Sequence, residues 1–397
     1  MKKYELISPT GDFESLNAAI NAGADAVYFG LKEFSMRANA KNFYLNDLKK
    51  IKKVCDKNKI KKYLTLNTII FDNEVKKIDK ILKKAKEFID AVVCWDFSVI
   101  ELCKKYKIPF HISTQASVSN SKSAEFYKRL GAERIVLARE LNLREIKKIS
   151  KIVDVECFCH GAMCISISGR CFTSQFLHCK SANRGECLQP CRKSYKVIDE
   201  ETGNELRLEN NKVMSAKDLC TLPFIEKMKE AGIKHFKIEG RNRSPEYVYV
   251  VTKVYRKALD KKLNEKEIRE SLEELKRVYN RGFSSGFYLK LSSADDFSSS
   301  DDGEQTEKKK YIGRIEKIWP KINVAGVIIH NNSLKKGDEI YVIGKESGVQ
   351  RLKVERIEKN KEEIQEAKKG DYVAIKIPNA KKGDEVYLIE KRNKFFN

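Results

Sequence analysis

YELISPTGDFESLNAAINAGADAVYFG, residues 4–30, decides the fold. Two short apolar runs, YELIS and AVYFG, flank a helical stretch, DFESLNAAINAG. An aspartate opens that stretch as an N-cap would, and Gly23 closes it as a C-cap would. Strand, helix and strand in so few residues make a βαβ unit, the building block of parallel sheets. The pattern continues to about residue 240 with YLTLNT (63–68), AVVCWD (91–96), FHISTQ (110–115), RIVLAR (134–139), VECFCHG (155–161) and HFKIEG (235–240). Amphipathic stretches such as NDLKKIKKVCDKN (46–58), SVIELCKKYK (98–107) and KSAEFYKRLG (122–131) lie between them. Eight such units favour a closed (β/α)8 barrel over an open sheet. An open doubly wound sheet is the fallback, but no glycine-rich dinucleotide fingerprint follows the first strand.

A barrel of this kind does its chemistry where strands end and βα loops begin. Those ends read Ser8, Tyr28, Asn67, Asp96, Thr114–Gln115, Arg139–Glu140, His160 and Glu239–Arg241. Each alone has a structural use as a cap or loop anchor; as a ring they describe an active-site mouth. His160 and Glu239 are candidates for proton transfer, with an ion pair and a loop anchor as the structural alternatives. The planar fork of Arg241 fits a phosphate or a dicarboxylate at the reacting centre. Tyr28, Asn67, Gln115, Arg139, Arg170 and Arg243 are candidate substrate-binding residues, the arginines for phosphate or carboxylate.

The seventh connection is very long, from His160 to about Lys234, and carries most of the cysteines. The chain has 11, eight of them between residues 157 and 220. The odd count, and the expected cytoplasmic setting, argue against a disulfide framework. Cys55, Cys94 and Cys103 are scattered and read as ordinary buried residues. HGAMCISISGRC (160–171) and GECLQPC (185–191) space Cys164, Cys171, Cys187 and Cys191 as C-x6-C-x15-C-x3-C. A thiol nucleophile would pair Cys159 with His160, but neighbours on a strand face opposite ways. The serine elbow G-x-S-x-G and the zinc-protease H-E-x-x-H are absent. Zinc stays open, with CLQPC as one ligand pair, although Cys164 and Cys171 are far apart for a knuckle. An iron–sulfur cluster tolerates wider spacing. Gly161 and Gly169 would let the chain turn around it, and Arg170 would offset its charge. Cys157 and Cys159 share a strand face and read as core; Cys179 and Cys220 are surplus. Within the same connection, residues 193–215 read as a hairpin turning at Thr202–Gly203–Asn204.

The 397 residues, 41% hydrophobic and 34% charged, describe a soluble globular chain. No apolar run nears the roughly 18 residues of a membrane span. The N-terminus lacks the apolar core of a signal peptide, so the expected location is cytoplasmic, with no membrane partner. A formal charge of +23 points to a polyanionic partner, most often nucleic acid. Lysine-rich solvated helices such as KKIDKILKKAKEF (76–88) are its plainer explanation. Residues 1–290 form the barrel domain, with outer helices over 243–260 and 265–280. Residues 291–310, rich in Ser and Asp, read as a linker. Residues 311–397 alternate apolar and polar positions and hold the near-repeat KKGDEIY (335–341) and KKGDEVY (381–387), which predicts a small β-barrel.

HGAMCISISGRC, NRGECLQPCRKSYKV (183–197), MSAKDLC (214–220), KIEGRNRSPEYVYVVTKVYRKALD (237–260) and the opening SPTGDFESLNAAINAGADAVYFG (8–30) resemble the collagenase-like peptidase U32 family. The resemblance runs from the first strand to about residue 290, and the C-terminal module resembles the family's small β-barrel. Despite the family's name, the resemblance implies oxygen-independent hydroxylation, with the tRNA wobble uridine, a large-subunit rRNA cytidine or ubiquinone precursors as targets. It maps the family's 4Fe-4S ligands onto Cys164, Cys171, Cys187 and Cys191. GECLQPCR matches an element of the tRNA branch, which is linked to prephenate; the rRNA branch is usually longer. The resulting expectation is an iron–sulfur enzyme forming 5-hydroxyuridine in tRNA, with a small dicarboxylate metabolite and an unidentified electron donor as further partners. Its rivals are a peptidase acting on collagen-like chains, 23S rRNA cytidine hydroxylation, and a non-catalytic RNA-binding or assembly factor.

Overall fold

A computed structural model describes residues 3–392 apart from 39, 168–169, 207–213, 299 and 301–302. Seven parallel strands come first: β1 (Glu5–Pro9), β2 (Ala26–Gly30), β3 (Lys61–Thr65), β4 (Ala91–Cys94), β5 (Phe110–Ile112), β6 (Arg134–Val136) and β7 (Asp154–Gly161). After β7 come the hairpin β8 (Val197–Ile198) and β9 (Glu205–Leu206), then β10 (Asp218–Cys220) and β11 (His235–Ile238). β11 pairs in parallel with both β1 and β7 and closes an eight-stranded barrel.

Helices α1 (Phe13–Asn21), α2 (Leu48–Lys57), α3 (Asp72–Ala85), α4 (Phe97–Tyr106), α5 (Ser121–Arg129) and α6 (Leu143–Ile149) each bridge successive strands. Their starts are chemically marked. Asp12 accepts from the Ser15 amide at 2.8 Å, Asp96 from Ser98 at 2.9 Å and Asn120 from Ser123 at 2.9 Å, satisfying N–H groups that a helix leaves unpaired. Asp96, one of the strand-end residues, is therefore a cap. Ser8, another, bonds Thr252 across the barrel wall at 2.8 Å and is fully buried.

The seventh connection holds α7 (Thr173–His178) and returns through β10, which runs antiparallel to the end of β7. The expected hairpin is present as β8–β9; residues 207–213 of its second arm lie outside the described residues. Arg192 clamps the two ends of this insertion together by donating to the Met163 and Ala216 carbonyls. After α8 (Ile225–Glu230) and β11, α9 (Pro245–Asp260) and α10 (Glu265–Arg277) complete the helical layer.

The barrel interior near the strand N-termini is filled by charge rather than by aliphatic layers. Lys237 Nζ lies 2.6 Å from Glu156 Oε1, Arg134 bridges Glu156 and Glu5 at 3.1 Å each, and Tyr63 donates to Glu5 at 2.6 Å. Burial alone would raise the Glu156 carboxyl, but Lys237 and Arg134 hold it down to about 2. His111, buried beside Tyr63, is pushed down to about 3 by burial and by Arg134.

A short strand, β12 (Phe283–Ser284), adds to β10, and the chain then enters an antiparallel C-terminal domain. Its first strand is β13 (Glu307–Trp319), followed by β14 (Val324–Ile329), β15 (Ser333–Lys335), β16 (Glu339–Gly344) and β17 (Gly348–Lys353). β18 (Ile357–Lys359), β19 (Glu362–Ile364), β20 (Glu366–Lys368), β21 (Tyr372–Lys376) and β22 (Glu385–Lys391) complete it. Eight strands run in the order β17-β16-β22-β13-β14-β21-β18-β19 around one apolar core, and β15–β20 form a second small sheet. The KKGD repeat makes one turn twice: Asp338 accepts from the Lys335 amide at 2.8 Å, and Asp384 from Lys381 at 2.9 Å. Lys368–Asp371 is a third copy, closed the same way at 2.8 Å. The domain packs on the barrel through Tyr341, Ile343 and Val349 around Ala18 of α1.

Candidate active site at the barrel mouth

The strand C-termini surround a cavity of about 130 Å³ roofed by the insertion after β7. Of the ring expected from the sequence, Tyr28, Asn67, Gln115, Arg139, Glu239 and Arg241 line it. At its centre is Glu239. Arg37 donates to Glu239 Oε1 from Nε at 3.1 Å and from Nη2 at 2.9 Å. Burial works to raise the Glu239 carboxyl, but Arg37, Arg139 and Arg241 together bring it down to about 2. The sequence reading offered Glu239 for proton transfer; this environment makes it a standing anion near neutral pH, because three guanidiniums stabilise its charged form.

Arg241 is 5% exposed, and its Nη1 donates to Ser35 Oγ and, at 3.1 Å, to Thr65 Oγ1. A Cβ on Gly30 would collide with that guanidinium and the Ser35 hydroxyl, so the end of β2 has to be glycine for Arg241 to lie there. Burial lowers Arg241 to about 10, which still leaves it cationic. Arg139 reaches the Ala162 carbonyl at 2.8 Å and stacks 4.0 Å from the Phe158 ring centroid, while its buried Nε has no partner among the described residues. Tyr28 donates to the Ile238 carbonyl at 2.9 Å, and burial beside Glu239 keeps its phenol protonated. Asn67 ties two loops, accepting from Met36 N and donating to Ser113 Oγ, both at 3.2 Å.

Three expected residues are elsewhere. His160 is 1% exposed, lies off the cavity, and packs between Tyr247, Tyr255 and Phe283. Burial and Arg243 depress it to about 3, so it neither reaches a ligand in the cavity nor carries a proton near neutrality. The cause is a bulge: Lys237 pairs with Phe158 but Ile238 with His160, which skips Cys159. The extra residue breaks the alternation that would have set His160 on the same side as Phe158. Arg243 stacks on Tyr279 at 3.9 Å, outside the cavity, and Arg170 is exposed on the insertion. Gly169, expected beside it at a turn, lies outside the described residues.

Strand-end reasoning also missed Arg37 and Lys237. Arg37 belongs to the β2–α2 connection and sits at no strand end. Lys237 lines the cavity from within β11, its Nζ 4.4 Å from the Tyr28 ring centroid. A lysine inside a core strand was the available signal.

Cys164, Cys187 and Cys191 line the same cavity as Arg37 and Glu239. Cys171 stands just outside, its amide donating to Asn183 Oδ1 at 2.9 Å and its Sγ 3.2 Å from Thr173 Oγ1. Burial raises the Cys191 thiol, Arg192 opposes it, and Cys164, Cys187 and Cys171 raise it further, so those three thiols lie within electrostatic range of Cys191. Among the described residues no three His, Cys, Asp or Glu side chains are gathered tightly enough to hold a single metal ion. Cys164 is exposed, and Cys171, Cys187 and Cys191 are half-buried. Cys55, Cys94, Cys103, Cys157 and Cys159 are buried in the core, as expected, and Cys220 is buried there too. Cys179 is exposed and closes α7.

This combination, a closed (β/α)8 barrel whose C-terminal mouth is a polar cavity rimmed by thiols and guanidiniums, defines a barrel protein built to bind and transform a ligand. Residues 11–297 match the model of Peptidase family U32, and the chain belongs to that family. It is 38% identical to a collagenase of Porphyromonas gingivalis over 98% of this chain and 99% of that one. Similarity extends to tRNA hydroxylation protein P1 of Bacillus subtilis, 34% identical over 87% of this chain and 84% of that one. A synthase of 5-hydroxycytidine in 23S rRNA from Escherichia coli is 36% identical over 66% of this chain and 40% of its own length. No helix among the described residues is long and apolar enough to cross a membrane.

Proposed function

We propose that this chain hydroxylates a pyrimidine base in RNA, with the tRNA wobble uridine as the target and prephenate or a similar dicarboxylate as co-substrate. The observation that carries the reading is one cavity shared by cysteine thiols and an excess of guanidinium charge. A relative named for tRNA hydroxylation, another named for 5-hydroxycytidine synthesis in 23S rRNA, and the chain's +23 charge support it. Cys164, Cys171, Cys187 and Cys191 would hold a 4Fe-4S cluster, which supplies one-electron chemistry without oxygen. Arg139 and Arg241 offer donors for a carboxylate or phosphate, Arg37 fixes Glu239, and the Tyr28, Asn67 and Gln115 side chains border the space a base would enter. Chemistry on a base requires it unstacked, and a polar cavity at a barrel mouth suits a flipped base. Hydroxylation with oxygen at the water level removes two electrons from the base, so a redox partner of unidentified nature would accept electrons rather than supply them.

The collagenase relative suggests peptide hydrolysis instead. A cysteine peptidase needs a base beside its thiol, and no histidine is among the residues lining the cavity. Two measurements decide. Nucleoside mass spectrometry of tRNA from a strain lacking the gene should show loss of 5-hydroxyuridine, restored by the wild-type chain. Anaerobically purified protein should hold about four irons, bleached by Cys191→Ser and kept by Cys55→Ser. Unchanged nucleosides in both tRNA and rRNA, or colourless active protein with stoichiometric zinc, would sink the reading.

A further inference from the structure

The exposed aromatic side chains of the barrel gather at one end of it. Tyr44 follows β2, Phe71 precedes α3, Phe97 opens α4, and Phe172 and Phe176 belong to the insertion after β7. Connections from strand to helix all stand on the C-terminal face of such a barrel, so these rings share the face that holds the cavity. Among the described barrel residues, the one other exposed Phe or Tyr is Phe126, on α5. The exposure is large, 84% for Phe176 and 62% for Phe172, so packing does not explain these rings.

Cations accompany them. The Arg184 guanidinium lies 4.6 Å from the Phe71 ring centroid, and Lys32 Nζ lies 5.4 Å from that of Tyr44. Arg184 is fixed in place by an ion pair with Glu74 and by the Ile69 carbonyl at 2.6 Å. Arg184 also precedes Cys187 by three residues, which ties the insertion to the β3–α3 connection beside the mouth. The insertion also exposes Ile165, Ile167, Leu177 and Leu188 beside Phe172 and Phe176. What favours unpaired nucleotides over a protein is the set of flat rings with cations beside Phe71 and Tyr44: faces for bases, cations for phosphates. Bases inside a duplex are stacked on one another and leave no face free.

We propose that this face is a stacking platform for unpaired RNA, on which the nucleotides flanking the modified one splay out against Phe71, Phe172 and Phe176 while that base enters the cavity. The inference rests on the RNA-hydroxylation reading and names the surface that would take the unpaired nucleotides. The test is fluorescence anisotropy with the full chain, using a short RNA hairpin with an unpaired loop and a fully paired duplex of like length. Phe71→Ala, and the pair Phe172→Ala with Phe176→Ala, should each weaken hairpin binding about tenfold. Duplex binding, which depends on phosphate charge, should not change. Phe→Leu at the same positions keeps apolar area but loses the flat ring, so it should fail where Phe→Trp succeeds. Hairpin affinity unchanged by the alanine variants, with wild-type binding intact, overturns the platform and leaves the RNA reading standing. Wild-type protein that binds neither RNA removes that reading and the platform with it. Alanine variants that keep RNA affinity but lose electron exchange with a small acidic electron-transfer protein would give this face to a protein, and overturn the proposal too.

Discussion

The barrel buries charge at both of its ends, and the two clusters are built differently. Near the strand N-termini, Glu5 and Glu156 face Arg134 and Lys237, and each charge meets an opposite one at hydrogen-bond distance. At the mouth, Glu239 stands alone among Arg37, Arg139 and Arg241. Arg37 takes the ion pair, while Arg139 and Arg241 bond neutral groups only among the described residues. A balanced cluster is complete without a ligand. An excess of positive charge held in a partly enclosed cavity is costly until an anion arrives, because hydrogen bonds to neutral groups repay its desolvation only in part. The difference separates the end that holds the barrel together from the end that binds.

The comparison breaks first at Arg241. Arg241→Lys keeps the charge but not the fork held by Ser35 and Thr65, and a small misplacement at a reacting centre costs about a hundredfold. Nucleoside hydroxylation by the purified variant should fall by about that factor, while its melting temperature stays near wild type. A large loss of stability with full activity per folded molecule would place Arg241 in the structural class instead.

Glu156→Gln should do the reverse. It leaves Lys237 buried without its carboxylate and Arg134 with Glu5 alone, and removing one partner of a buried pair costs about 3–5 kcal/mol. Denaturant melts should show that loss, with iron content per folded chain unchanged. Stability equal to wild type would mean that the lower cluster does not hold the barrel.

The smallest effect is on pH dependence. His111 has a folded-state value of about 3 against an ordinary 6.5, so the unfolded chain takes up its proton first as pH falls. Its stability is therefore full above 6.5 and declines toward 3, by about 2 kcal/mol between pH 6.5 and pH 5. Glu156, depressed to about 2, adds a further loss below its ordinary 4.5. His111→Phe should flatten the upper part of the curve measured by urea titration at stepped pH. An unchanged slope would show that the histidine is solvated in the folded chain.

The sequence announced the barrel because alternation and helix caps are local signals: Asp12, Asp96 and Asn120 cap helices whatever the rest of the chain does. It also announced the thiols, since their spacing is visible without a fold. Among strand-end residues, Tyr28 lines the cavity because it follows the alternation of β2, and Arg139 lines it from three residues past the end of β6. The sequence reading failed at His160, where one extra residue in β7 turns the ring outward, and a bulge leaves no mark in a strand's composition. Arg243 went astray because Tyr279, far along the chain, supplies a ring for it to stack on.

By itself, then, the sequence determined the eight βα units, the Cys-rich insertion and the positive charge, because each depends on neighbours a few residues apart. Only the tertiary structure decided which charges balance. Glu239 meets Arg37 across 202 residues and Glu156 meets Lys237 across 81. Whether a buried carboxylate is one of a matched set or one against three depends on which loops the closed barrel brings together, and no local pattern encodes that.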